Sequence, residues 1–196
     1  MENIYKKRSF ISRFADKFQR RNRGNVFLLI RNFIFYIQSK IDNFTLDKRA
    51  YIIKQFKKKS IIAEIGVWRG DFSQEIVLNV SPKELVLVDP WIYDEKIRGC
   101  APQVKGSEPI NQKFFDDAKN STYKKFESFE FVKILHMNSE NASSKFDNNY
   151  FDYIYIDGEH SYKAVMKDLK SWYPKLKING KIFGDDFYWR EEDNSF

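Results

Sequence analysis

Apolar residues gather into short blocks separated by longer amphipathic stretches. The blocks centre on Ile61–Ile65, Leu85–Val88, Phe129–Leu135, Phe151–Ile156 and residues 181–186. Runs of this length suit strands buried on both faces. Between them, Phe72–Val80 reads as a helix. Residues 111–126 read as another, with Phe114, Phe115, Ala118 and Phe126 as the apolar positions. Ser161 can cap a third that runs to about Leu176, burying Val165, Leu169, Trp172 and Leu176. Leu46–Phe56 predicts a helix leading into the first strand. Ser81-Pro82, Asn148-Asn149 and Asn179-Gly180 supply the breaks. Strand and helix alternate, which predicts an α/β fold with a mostly parallel sheet covered on both faces.

In such sheets ligands bind beyond the carboxyl ends of the strands. Glu64, Asp89, Ser139, Asp157, His160, Asp185 and Asp186 all fall at those ends. The first turn reads Glu64-x-Gly66-x-x-x-Gly70. Its glycines allow a sharp turn and close approach of a ligand to the backbone. It has one glycine fewer than the dinucleotide fingerprint, which disfavours an NAD-dependent dehydrogenase. Asp89 lies 19 residues after Gly70, where a ribose-binding carboxylate belongs. A carboxylate there can accept both ribose hydroxyls. Residues 92–110 carry Gly99, Pro102, Gly106 and Pro109 without periodicity, and form a candidate lid or substrate loop.

A chain of 196 residues suits one domain with a sizeable core. Its positive charge is local. Residues 1–60 hold 16 Lys and Arg against 4 Asp and Glu, a net +12, whereas residues 61–196 hold 18 against 23, a net −5. The expected division is a basic, helical N-terminal segment at 1–59 and an α/β domain at 60–196. The apolar run at 26–37 is interrupted by Arg31 and falls short of the ~20 residues a spanning helix needs. Phe27, Ile30, Ile34, Ile37 and Ile41 share one helical face. That face packs on the domain or lies on a membrane surface. No small-residue cleavage site follows, and Cys100 is the single cysteine, so the expectation is a cytoplasmic protein, with peripheral membrane contact and homo-oligomerisation left open.

The motifs E-I-G-V-W-R-G, L-V-L-V-D-P-W, Y-I-D-G-E-H-S-Y, D-L-K-S-W and N-G-K-I-F-G-D-D-F, within residues 60–188, resemble class I S-adenosylmethionine-dependent methyltransferases. Within that class the chain looks most like the Mg²⁺-dependent macrolide-sugar and aminocoumarin-sugar O-methyltransferases. The resemblance implies a Rossmann-like three-layer sandwich with the cofactor over strands one to three. It implies that Glu64, Gly66 and Gly70 line the methionine part, that Asp89 holds the ribose and that Ser139 sits near the adenine. It further implies Mg²⁺ on Asp157, Asp185 and Asp186, with His160 as base and a small molecule, a sugar or another polyhydroxylated acceptor, as substrate. Glu159 is the base if His160 points away. The family fold has two strands after the fifth, and residues 187–196 are too few to supply them, so a fragment or a shortened member is expected. Two other readings stay open. One is a degenerate methyltransferase fold that binds without catalysis. The other is a nucleic-acid methyltransferase, suggested by the basic N-terminus but without an N/D-P-P-Y/F motif or other strong nucleic-acid signal.

Overall fold

The computed structural model describes residues 47–94 and 111–185. The amphipathic run at 26–37, Cys100, most of the 92–110 loop, Asp186 and the last ten residues lie outside the described residues. The chain divides into two compact units, Met1–Ala50 and Tyr51–Phe196. The second carries the site.

The elements follow in the order α1 (Asp47–Gln55), β1 (Ile61–Ile65), α2 (Asp71–Val80), β2 (Glu84–Asp89), α3 (Gln112–Phe126), β3 (Val132–His136), α4 (Ser139–Ser143), β4 (Phe151–Ile156), α5 (Tyr162–Trp172), a 3₁₀ turn (Tyr173–Lys175) and β5 (Leu176–Gly184). The five strands form one sheet in the order β3-β2-β1-β4-β5, parallel throughout. The order reverses beside β1, so the crevice between the exits of β1 and β4 is the topological switch point where α/β sheets take their ligands.

The period of two along each strand divides the core into two layers. Ile62, Leu85, Leu87, Tyr153 and Tyr155 face one side and meet Phe72, Ile76 and Val80 of α2 and Phe115, Ala118 and Phe126 of α3. Ile52, Ile53 and Phe56 pack on the same side. Ala63, Ile65, Val86, Val88, Ile154 and Ile156 face the other side, against Ala142 of α4 and Leu169 and Trp172 of α5. The α/β/α sandwich expected from the hydrophobic pattern is the observed fold.

The differences have local causes. β3 begins only at Val132, because Val132 N–H bonds back to the Phe129 carbonyl in a turn; of residues 129–131 Phe131 alone reaches the sheet, its carbonyl accepting from Leu85 N–H at 2.9 Å. Ser139–Ser143, read as a strand exit, is a short helix, capped by Asn138, whose side chain accepts from Asn141 N–H. The last helix stops at Trp172 and not near Leu176, because Pro174 cannot continue it. The strand assigned to 181–186 begins earlier, at Leu176, and is broken by a register shift. Phe151 pairs with Leu176, but Tyr153 pairs with Lys181, so Lys177–Gly180 bulge out. Among the described residues no helix is long and apolar enough to cross a membrane.

Candidate functional site

The loop between β1 and α2 occupies the switch point. Gly66 N–H donates to the Val88 carbonyl at 2.9 Å, and Asp157 N–H donates to the Ile65 carbonyl at 2.7 Å. The exits of β1, β2 and β4 are thereby stitched together. Gly66 has φ +86°, and a Cβ there would stand 2.1 Å from the Asp157 carbonyl oxygen. At Gly70 a Cβ would stand 2.7 Å from the Phe126 ring. The two glycines therefore admit the protein's own neighbours, the backbone at the exit of β4 and a ring of α3.

Asp89 closes the loop. Its Oδ2 accepts the N–H groups of Val67 at 2.9 Å and Trp68 at 2.8 Å, and its Oδ1 accepts that of Trp91 at 2.7 Å. Trp68 and Trp91 both have left-handed backbones, φ 54° and 42°. Large side chains seldom adopt that region, and the shared carboxylate is what aims both amides inward. The Trp91 indole adds a bond to the Trp68 carbonyl at 2.8 Å, which also accepts from the Thr122 hydroxyl at 2.9 Å. Burial pushes the Asp89 carboxyl above the ordinary range, with the three amides pulling the other way. A carboxylate offers about four acceptor positions, so one is left, on Oδ1. That suits one ribose hydroxyl. The two-hydroxyl grip expected from the sequence lacks the acceptor capacity.

Glu64 points to the α2 side of β1. It is 1 % exposed, and its Oε2 accepts from the Ser73 hydroxyl at 2.6 Å. It lies beneath the loop and ties α2 to the strand. The Ser139 hydroxyl is committed as well. It accepts from the Trp172 indole at 2.8 Å and donates to the Asp168 carboxylate. Asp168 is buried on α5 and stands close to Gly158, where a Cβ would lie 3.6 Å from its Oδ2. Burial raises the Asp168 pKa and Glu159 adds to the rise, while the Ser139 bond opposes it. The Trp172–Ser139–Asp168 chain thus joins the exit of β3 to the turn after β4. Sequence reading missed Asp168, although a signal existed. It falls between Val165, Leu169 and Trp172 on the apolar stripe of the helix, and a carboxylate there needs a partner.

Asp157 and Asp185 come together. Gly184 pairs with Ile156 in the β4–β5 register, and Asp185 N–H donates to the Ile156 carbonyl at 3.2 Å, which sets the two acids side by side at the carboxyl edge. The hydroxyl of the buried Tyr155 donates to Asp185 Oδ2 at 2.9 Å. His160 is half-buried three residues beyond Asp157, while Glu159 is exposed and accepts from the Ser161 hydroxyl at 2.7 Å. Among the described residues no three His, Cys, Asp or Glu side chains group as a metal site. Asp186, the third acid of the expected set, lies outside them. Hard oxygen donors at Asp157 and Asp185 do fit a Mg²⁺ that keeps waters in its remaining positions.

His136 bonds through Nε2 to the Pro90 carbonyl at 2.9 Å and meets the Trp91 ring edge-on. At the start of α2, Asp71 pairs with Lys125 at 2.6 Å. A carboxylate in that first turn opposes the pyrophosphate that a dinucleotide would place there.

Fold and sequence agree with known proteins. The profile of the family described as "Methyltransferase domain" matches residues 63–187, and the chain belongs to that family. Its fold is that of precorrin 8w decarboxylase from Methanobacterium thermoautotrophicum, with TM-score 0.50 and 14 % identity over 71 % of this chain and 61 % of that one. A SAM dependent methyltransferase from Archaeoglobus fulgidus aligns with TM-score 0.48 and 16 % identity over 76 % of this chain and 55 % of that one. The chain thus spans under two thirds of either protein's length. Among curated proteins the sequence has no significant match.

Proposed function

We propose that the chain is an S-adenosylmethionine-dependent methyltransferase that methylates a hydroxyl of a sugar or another polyhydroxylated small molecule, assisted by Mg²⁺. What supports the finer part is the placement of Asp157 and Asp185 side by side at the exits of β4 and β5, next to the switch point, with His160 three residues beyond Asp157. The bound donor supplies an activated methyl group on its sulfonium. The loop at 66–70 lines its methionine part, and the free acceptor position of Asp89 holds a ribose hydroxyl. A divalent cation on Asp157 and Asp185 would lower the pKa of the acceptor hydroxyl. Asp157 and Asp185 orient that hydroxyl, and His160 takes its proton as the new C–O bond forms and the methyl's C–S bond breaks, its electron pair staying on sulfur in the departing thioether; His160 later passes the proton to water.

One observation favours a second reading, a binding module without catalysis. Most of the acceptor capacity of Asp89 and the hydroxyl of Ser139 are spent inside the protein. Methylation of a panel of sugar nucleotides and glycosides, followed by label from S-adenosylmethionine with and without chelator, separates the two. Turnover that falls at least tenfold in chelator and in Asp185→Asn fits the proposal. Chelator-insensitive turnover removes the metal, and donor binding without turnover on any acceptor favours the binding module.

A further inference from the structure

The amino edge of the sheet, opposite the switch point, carries a group of lysines. Lys57, Lys58 and Lys59 precede β1 and Lys83 precedes β2, and all four are exposed. They are held together by the backbone. Lys59 N–H donates to the Ser81 carbonyl at 3.2 Å, and Lys83 N–H donates to the Ser60 carbonyl at 2.8 Å. The buried Ser60 returns its hydroxyl to the Lys57 carbonyl at 2.6 Å. Lys59 itself is held at φ +60°, a left-handed turn that glycine would adopt more easily. The turn is therefore built, and it presents consecutive ammonium groups on a fixed base.

The charges are not balanced locally. Elsewhere on the domain, Lys119, Lys125, Lys133, Lys167 and Lys177 each pair with a carboxylate. None of the four edge lysines has an ion-pair partner among the described residues. The nearest acid in sequence, Glu84, is committed to Lys133 at 3.1 Å and to the Tyr150 hydroxyl.

We propose that this lysine edge docks on an anionic phospholipid surface. Lysines alone, without arginine forks or exposed aromatic rings among them, are point charges that suit a diffuse field of headgroups more than base or phosphate geometry. Docking by this edge leaves the carboxyl edge facing away from the membrane, open to a dissolved acceptor.

The test uses the full chain and extruded vesicles of phosphatidylcholine with or without 30 % phosphatidylserine, roughly the anionic fraction at which a polybasic patch responds. The comparison is with a variant carrying Lys57→Glu, Lys58→Glu, Lys59→Glu and Lys83→Glu. A control carries Lys113→Glu, Lys145→Glu, Lys163→Glu and Lys170→Glu, the same charge change on exposed lysines elsewhere. Wild type should sediment with the anionic vesicles only and be released by 0.5 M salt, on the order of a few Å of screening length. The edge variant should lose at least tenfold in partitioning and the control under threefold, roughly as expected for patch rather than net charge. Equal loss in both variants overturns the proposal, as does binding to neutral vesicles or to none. Retention of single-stranded RNA without vesicle binding overturns it in favour of a nucleic-acid partner. If the Glu variant melts early, Gln at the same four positions is used, with the same outcomes.

Discussion

Asp89→Asn separates a latch from a ribose contact. The carboxylate holds three N–H groups, two on Oδ2 and one on Oδ1. Asparagine keeps one oxygen, enough for the Val67 and Trp68 pair. Its amide group then faces the Trp91 N–H, donor against donor. One bond to a charged acceptor is lost, about 1.5–3 kcal/mol, and the other two weaken with the charge. Removing a buried charge returns part of that, because burial already pushes this carboxyl up. A net loss of about 2 kcal/mol is expected. For a chain of this length that is roughly 4–8 °C in Tm. The assay is thermal melting at pH 7 followed by tryptophan fluorescence, since Trp68 and Trp91 flank the latch. A Tm within about a degree of wild type would refute the latch on that scale. A purely ribose-binding Asp89 would instead lower donor affinity and leave the Tm alone.

Gly66→Ala should cost far more than Gly70→Ala. The first meets a carbonyl at 2.1 Å that only backbone movement can relieve, the second a ring edge at 2.7 Å that can turn; urea midpoints that fall equally would contradict this. Asp168 titrates above the ordinary carboxylate range, so the folded protein holds its proton more tightly than the unfolded chain. Its contribution is full below the unfolded pKa, near 4, and is lost as pH rises through the folded value. Asp168→Asn should therefore flatten that part of the stability profile above about pH 4, measured by urea unfolding at several pH values. A variant profile parallel to wild type would show that Asp168 is not the group responsible.

The sheet was legible because each strand announces itself twice, by an apolar run and by the polar residue at its exit. Five strands alternating with amphipathic helices leave few topologies. Asp157 and Asp185 were legible as neighbours for the same reason, since adjacent parallel strands bring their exits together. The side-chain network was not legible. Nothing local in sequence says that Asp89 turns back to the amides of residues 67 and 68, more than 20 positions away. Nor does it say that Ser139 spends its hydroxyl on α5. The glycines were read as openings for a ligand, yet at Gly66 and Gly70 the space is taken by Asp157 and Phe126. The bulge at Lys177–Gly180 hid the start of β5, because a register shift interrupts the period of two. Pro174 and the carboxylate of Asp168 on an apolar stripe were signals that lay in plain view.

The central claim is that the crevice beside β1 takes S-adenosylmethionine. Calorimetric titration of the full chain with S-adenosylmethionine, in chelator and then with Mg²⁺, tests it most directly. The account predicts one site per chain, with an affinity unchanged by chelator and weakened in Asp89→Asn. No heat and no shift in Tm at millimolar S-adenosylmethionine would contradict it.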